Sequence, residues 1–271
     1  MSINESASAP VTGVPSADGT LPPRSITPQQ RVDALRELNR GSGKLSFFWE
    51  WTKVFQISVL LFLVLRTFFV EAFKIPSGSM EGTLLVGDFL LVNKLVYGAE
   101  VPFTHARLPK LRTPQVGDVI VFDYPRDLTK NFVKRLVGLP GDTVEMRDGV
   151  LFRNGVRVKE QYVERADMDY DSPEEEFAWQ REYLVRPSGS ALSAYHPSRN
   201  TWGPLVVPSK SYFVLGDNRD NSLDSRYWGF VADSLVKGQP FVIYYSYAPD
   251  TVDRFAWLTH IRWNRLGERI K

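Results

Sequence analysis

Between Val54 and Val70 almost every position is apolar, with breaks only at Gln56, Ser58, Arg66 and Thr67. Phe47, Phe48, Trp49 and Trp51 precede the run, and Ala72 and Phe73 follow it. The pattern predicts a transmembrane helix over 47–72, long enough for a bilayer core and with tryptophans suited to its interface. A buried core helix has a similar composition. A cleaved leader fits less well, because the run starts far from Met1 and ends without a small-residue cleavage site. Upstream, Thr27, Pro28 and Gln30 have the order N-cap, N1 and capping-box residue. Val32, Leu35 and Leu38 share one helical face, and Gly41 stands where such a helix would stop. The expectation there is a short amphipathic helix and linker over 27–46. Residues 1–26, rich in Ser, Pro, Ala and Gly, are expected to be a disordered tail.

After Leu84 the period changes. Phe89-Leu90-Leu91-Val92, Val119-Ile120-Val121-Phe122 and Thr143-Val144-Glu145-Met146 each follow a Gly-Asp pair, which reads as a turn opening a strand. Asp148-Gly149 and Asn154-Gly155 are two-residue hairpin signals and predict a meander over 143–158. Tyr212-Phe213-Val214-Leu215 and Phe241-Val242-Ile243-Tyr244-Tyr245 complete the strand-like runs. The basic, Pro-rich stretch 98–114 reads as a surface loop. The expected architecture is mainly β: an antiparallel core over 73–146 and 206–271, with an inserted smaller β subdomain over 147–205. The tail carries Trp257, Ile261, Trp263, Leu266 and Ile270 among Arg262, Arg265 and Arg269. It suits packing on the β core and contact with lipid headgroups equally.

Composition narrows the chemistry. A net charge of +2 over 271 residues gives nucleic-acid binding no support. Without cysteine there are no disulfides, no thiol nucleophile and no thiolate metal site. Arg31, Arg36, Arg40, Lys44 and Lys53 precede the apolar run, whereas Lys74 alone follows closely. The positive-inside rule then places the N-terminus in the cytoplasm and the β region outside. Arg66, near the far end of the span, can snorkel to water.

The remaining polar motifs are candidates for catalysis. Pro76-Ser77-Gly78-Ser79-Met80-Glu81-Gly82-Thr83-Leu84 follows the span directly. In extended chain Ser77 and Ser79 point the same way, and Ser79 is a candidate nucleophile. It stands nine residues beyond Val70, no more than about 30 Å from the end of the apolar run, so its substrate should itself be held at the bilayer. A serine needs a base. His105, His196 and His260 sit in no motif, and the patterns Gly-x-Ser-x-Gly and Ser-x-x-Lys are absent at Ser79. Lysine is the other base used with serine. In Phe132-Val133-Lys134-Arg135-Leu136, strand alternation places Lys134 beside Phe132 and Leu136, where lost hydration lowers an amine's pKa. A solvated Lys-Arg pair suits the same stretch. In Gly216–Gly229, the acids lack calcium-loop spacing. Asp224 and Arg226 can pair there, and Ser222 can orient an amine.

Taken together, Pro-Ser-Gly-Ser-Met-x-x-Thr-Leu at 76–84, Gly-Asp-Val-Ile-Val-Phe at 117–122, Lys-Arg-x-Val-Gly-Leu-Pro-Gly-Asp at 134–142 and Gly-Asp-Asn-Arg-Asp-Asn-Ser-x-Asp-Ser-Arg at 216–226 resemble the type I signal peptidases, or leader peptidases, of bacteria. The resemblance is firm over 73–146 and 210–231 and weak elsewhere. It departs at Gly82, where the family usually has proline.

The resemblance implies a membrane endopeptidase that removes signal peptides from exported preproteins. Ser79 would be the nucleophile and Lys134 the general base. Ser77 would contribute to the oxyanion hole, and Ser222 would hold the Lys134 amine. Arg135, Asp217, Asp224 and Arg226 would support the site. Phe73, Ile75, Met80, Leu84, Phe132 and Val133 would line shallow pockets for small residues before the scissile bond. It implies no metal or cofactor, preprotein signal peptides and membrane lipid as partners, and a location in the bacterial cytoplasmic membrane. Other readings of the same residues are a self-cleaving, repressor-type Ser/Lys peptidase and a non-enzymatic, membrane-anchored β module.

Overall fold

The computed structural model describes residues 27–101, 104, 106–165, 175–185, 193–249, 253 and 255–270. The predicted disordered tail and His105 lie outside them. The chain divides into two compact units, 1–59 and 60–271.

The helix α1 runs without a break from Pro28 to Val64. Its start is the expected capping box: the Gln30 amide donates to Thr27 Oγ1, and the Thr27 amide donates to Gln30 Oε1. Gly41 does not end it, which corrects the expected short helix. Gly41 and Gly43 both lie inside it, each costing only about 1 kcal/mol relative to alanine, and the long helical runs on either side outweigh that cost. The apolar part, Phe47–Phe69, is 23 residues long with a mean hydropathy of 1.6; none of it is buried, and only Thr67 and Phe68 are partly covered. It ends in one wide π turn, Leu65–Phe69. At Val70 the backbone becomes extended, and Val70–Lys74 forms β1. Residues 70–72 are therefore strand, not the predicted end of the helix, because β1 pairs residue for residue with the strand Asp88–Asn93, β2.

The larger sheet also contains β3 (Val119–Tyr124), β4 (Asp127–Gly138), β9 (Ser211–Leu215), β10 (Val231–Ala232) and β11 (Val236–Ser246), in the order β1-β2-β11-β3-β4-β9-β10. All its pairings are antiparallel. A second sheet, β7-β6-β5-β8, is built from β5 (Thr143–Arg147), β6 (Val150–Arg153), β7 (Val156–Arg157) and β8 (Trp202–Val206). It begins at Thr143, a few residues before the expected boundary at 147. Both hairpin signals become turns in which the two central residues have positive φ: Asp148 and Gly149, then Asn154 and Gly155.

The three Gly-Asp pairs share one device. Asp88, Asp118 and Asp142 each return their own amide to the carbonyl of the residue three before (Leu85, Gln115 and Leu139). Each carboxylate also accepts that residue's amide at 2.8 Å. The preceding glycines supply the positive φ that closes the turn. Each strand thus starts from a locally determined corner.

Ile75, Met80, Leu84, Leu90, Val119 and Ile243 form a buried cluster beneath the 76–84 motif. The C-terminal tail packs along β11, which settles the choice left by its composition for several residues. Ile270 joins the Ile75 cluster. The Gly267 amide bonds the Ile243 carbonyl, and the Ile243 amide bonds that of Glu268. Arg265 forks onto the fully buried Asp88, and Arg262 bonds the Val86 carbonyl. Trp257 and Trp263 stay exposed.

Candidate active site

Lys134 sits in the middle of β4, opposite Ile120 of β3. The strand is central in its sheet, and the amine is covered: only 4% of the residue is exposed. Its Nζ lies 5.4 Å from the Phe132 ring centre and 2.6 Å from Ser79 Oγ. Burial pushes its pKa down to about 8, although the nearby carboxylates of Asp224 and Asp217 pull it up. At neutral pH this amine is uncharged part of the time, as an ordinary lysine is not.

Ser79 reaches this position from a single 3-10 turn, Gly78–Met80. Contrary to the expectation of an extended Ser77-Gly78-Ser79 stretch, Ser77 is extended, Ser79 is helical, and the two are not on one strand face. The turn buries Ser79 against Lys134 and leaves Ser77 exposed at the wall of a cleft. Two hydrogen bonds fasten the turn to the 216–226 loop. The Asn218 amide donates to the Ser79 carbonyl at 3.2 Å, and Asn218 Nδ2 donates to Glu81 Oε2 at 3.0 Å.

That loop is built around two ion pairs. Arg226 and Asp224, both fully buried, form a forked pair at 2.8 and 2.9 Å. Burial pushes the Asp224 carboxyl up, but the Arg226 guanidinium and the Gly216 amide hold it below its usual value. Arg135 forks onto Asp217 at 2.8 and 2.7 Å and also donates to Thr83 Oγ1. Thr83 Oγ1 in turn donates to Asp217 Oδ2 at 2.6 Å. Thus the residue next to the lysine is locked to the segment four residues beyond the serine. Such pairs add little net stability, but losing one partner is expensive, so they define one arrangement.

Ser222 is buried close to Ser79: no room exists for a Cβ at Gly216 between Ser222 Oγ and the Ser79 carbonyl. Its hydroxyl has no hydrogen-bond partner of good geometry among the described residues, Lys134 included. The expected clasp on the amine is therefore not made in this conformation.

A cleft of about 270 Å³ opens in front of the pair. Phe73, Ile75, Met80, Phe132 and Val133 line it, with Asn131, Asn221 and Leu223 at its sides. Leu84 does not line it. It is wholly buried in the cluster below and supports the floor. His196 and His260 are exposed.

Residues 48–245 match the family described as signal peptidase, peptidase S26. Three curated relatives are named Signal peptidase I. That of Pseudomonas aeruginosa is 42% identical over 74% of this chain and 73% of its own. That of Buchnera aphidicola from Acyrthosiphon pisum is 33% identical over 85% and 84%, and that of Aquifex aeolicus is 37% identical over 69% and 80%. The chain belongs to the signal peptidase family. It is a serine peptidase, a hydrolase, and the reading as a non-enzymatic β module is set aside.

Within this signal peptidase the inserted region supplies contacts that the sequence pattern did not mark. Tyr162 lays its ring on the Arg135 guanidinium, 3.8 Å from ring centre to carbon. Trp179 Nε1 and Gln180 Nε2 both donate to the Arg226 carbonyl. Glu160 pairs with Arg219, which bonds the Gly216 carbonyl. Motif spacing could not reveal these residues: Glu160 and Tyr162 lie in chain without regular structure, and Trp179 and Gln180 lie in a short 3-10 helix, Glu175–Tyr183, outside every motif.

Gly82 belongs to this support. Its φ is +100°, and a Cβ there would stand 2.6 Å from the Tyr162 carbonyl. The glycine lets the inserted region approach the serine motif. It is a seat for Tyr162.

Proposed function

We propose that this chain is a membrane-anchored endopeptidase that cleaves signal peptides from exported preproteins, with Ser79 as nucleophile and Lys134 as general base. The observation that carries the reading is the 2.6 Å approach of Lys134 Nζ to Ser79 Oγ in a buried, apolar setting.

In its neutral form, Lys134 accepts the Ser79 proton while Oγ attacks the carbonyl carbon of the scissile peptide. The negative charge develops on the carbonyl oxygen. The Ser79 amide lies in the first turn of a 3-10 helix that Gly78 opens, where the N–H groups have no partner within the turn. It is the principal oxyanion donor, with the exposed Ser77 hydroxyl as the second. Each such donor is worth about 3 kcal/mol. The Lys134 ammonium then protonates the leaving amine, the C–N bond breaks, and an ester on Ser79 remains. Water gives a proton to the again neutral Lys134 and attacks the ester; the bond between Ser79 Oγ and the acyl carbon then breaks, Oγ takes the proton back from Lys134, and the acid leaves. The forked pairs Arg226–Asp224 and Arg135–Asp217 hold this geometry, and the buried Ser222 is the residue assigned to orient the amine.

The cleft is apolar and small, which suits short side chains such as alanine before the scissile bond better than bulky ones. The apolar segment Phe47–Phe69 anchors the enzyme, with its N-terminus in the cytoplasm and the cleft on the outer side of the bacterial cytoplasmic membrane. A substrate held by its own apolar segment then meets Ser79 near the lipid surface.

The direct test is cleavage of a model preprotein in liposomes by the full chain and by Ser79→Ala. The variant should keep the fold and lose activity by roughly 10⁴-fold or more. Residual cleavage within tenfold of the wild type would refute the assignment of the nucleophile.

A further inference from the structure

A second cavity, about 460 Å³ in volume, lies within the 60–271 unit where the apolar segment gives way to β1. Leu63 and Thr67, at the end of that segment, form part of its wall. The charged lining consists of Arg66, Lys94, Arg107 and Lys237 against Glu71 and Glu100. Some of this charge is internally matched: Lys94 pairs with Glu71 at 3.3 Å, and Lys237 with Asp123 at 2.8 Å. The Arg107 guanidinium instead donates to two backbone carbonyls, those of Val236 and Asp233. Arg66 is exposed. Among the described residues neither arginine has a carboxylate within 4 Å. The catalytic scheme uses neither of them, and the motifs that carry the family resemblance include neither.

We infer that this cavity binds the phosphodiester headgroup of an anionic phospholipid, with Arg66 and Arg107 as its principal phosphate ligands. The chemistry is that of guanidinium groups, planar forks that match phosphate oxygens. The location favours lipid over a soluble phosphate. Arg66 lies within the apolar segment, three residues before its last residue, Phe69, so a chain that spans the bilayer carries the cavity at headgroup depth. A lipid held there would fix the height of the β unit above the bilayer, and with it the height of the cleft. The inference rests on the anchoring part of the proposed function and not on its chemistry.

The test uses the full chain in mild detergent, with bound lipid read by native mass spectrometry after adding phosphatidylglycerol or phosphatidylcholine. Inorganic phosphate is titrated separately. The wild type should retain phosphatidylglycerol in preference to phosphatidylcholine. Losing one cation near a lipid surface weakens binding about 5-fold, so Arg66→Gln should lose that much and Arg66→Gln/Arg107→Gln roughly 25-fold. Arg66→Gln alone keeps the test valid should the double variant not fold. Ser79→Ala should bind lipid like the wild type, and both arginine variants should still react with a serine-directed acylating probe, so lipid binding and catalysis are scored independently. Equal retention of the two lipids, or an undiminished preference in Arg66→Gln, would overturn the inference. Tight binding of inorganic phosphate with no lipid adduct would overturn the choice of lipid.

Discussion

Replacing Lys134 with methionine will give a protein that folds more firmly than the wild type at pH 7 and no longer cleaves preprotein. The loss of activity follows from removing the base, and should reach roughly 10⁴-fold or more. The gain in stability follows from burial. The amine's pKa is lowered from 10.5 to about 8, and each unit is worth about 1.4 kcal/mol. Below pH 8 the native state therefore holds a charged amine in an apolar site at a cost of roughly 3 kcal/mol. Between pH 8 and 10.5 the unfolded chain binds the proton and the native state releases it. Wild-type stability thus rises with pH across this window, and the cost disappears toward its upper end. Methionine has a similar length, fills the space and carries no charge. Denaturant unfolding at pH 7 should show a gain of up to about 3 kcal/mol for Lys134→Met, and the difference should shrink above pH 8. A variant less stable than the wild type would mean that the amine contributes to folding as a satisfied ion, contrary to its surroundings.

Introducing proline at Gly82 will destabilise this chain. Proline holds φ near −65°, whereas Gly82 is at +100° and is approached by the Tyr162 carbonyl. The 81–83 segment would have to move, withdrawing Thr83 from Asp217 and Arg135 and unseating the Tyr162 ring. A backbone conflict of this kind costs about 3 kcal/mol or more. For a domain of this size that lowers the melting temperature by roughly 6–12 °C. Preprotein cleavage should fall with it even below the melting temperature, because Arg135 lies beside Lys134 in the chain. An unchanged melting temperature would show that the inserted region does not depend on Gly82.

How much of this was legible in the sequence depends on how local the cause is. The Gly-Asp corners and the two hairpins were legible because the turn and its side chain are adjacent in the chain. The meeting of Ser79 with Lys134 was legible through long motifs, but the route to it was not. The alternation of Ser77 and Ser79 suits an extended chain, whereas a 3-10 turn delivers the serine. Leu84 has the same apolar character as the cleft residues, and only packing beneath Met80 and Ile75 shows that it is floor and not wall. Val70 and Ala72 are as apolar as the helix before them, so the change to strand was hidden until β2 gave them partners. Ser222 is near the site, but its hydroxyl is not on the amine, a difference of orientation that residue type cannot convey. The supports from Tyr162, Trp179 and Gln180 were not legible, because irregular chain and a short 3-10 helix outside any motif leave no period to read.

The account depends on one dry, readily neutral amine beside one serine hydroxyl. The most direct measurement is the titration of that amine by nitrogen-15 NMR in the lysine-labelled full chain in micelles, with the Lys134 signal assigned by its loss in Lys134→Met. A midpoint of about 8 is the expected result. A midpoint at the ordinary lysine value of about 10.4 would contradict it, since almost no neutral base would then face Ser79 at physiological pH.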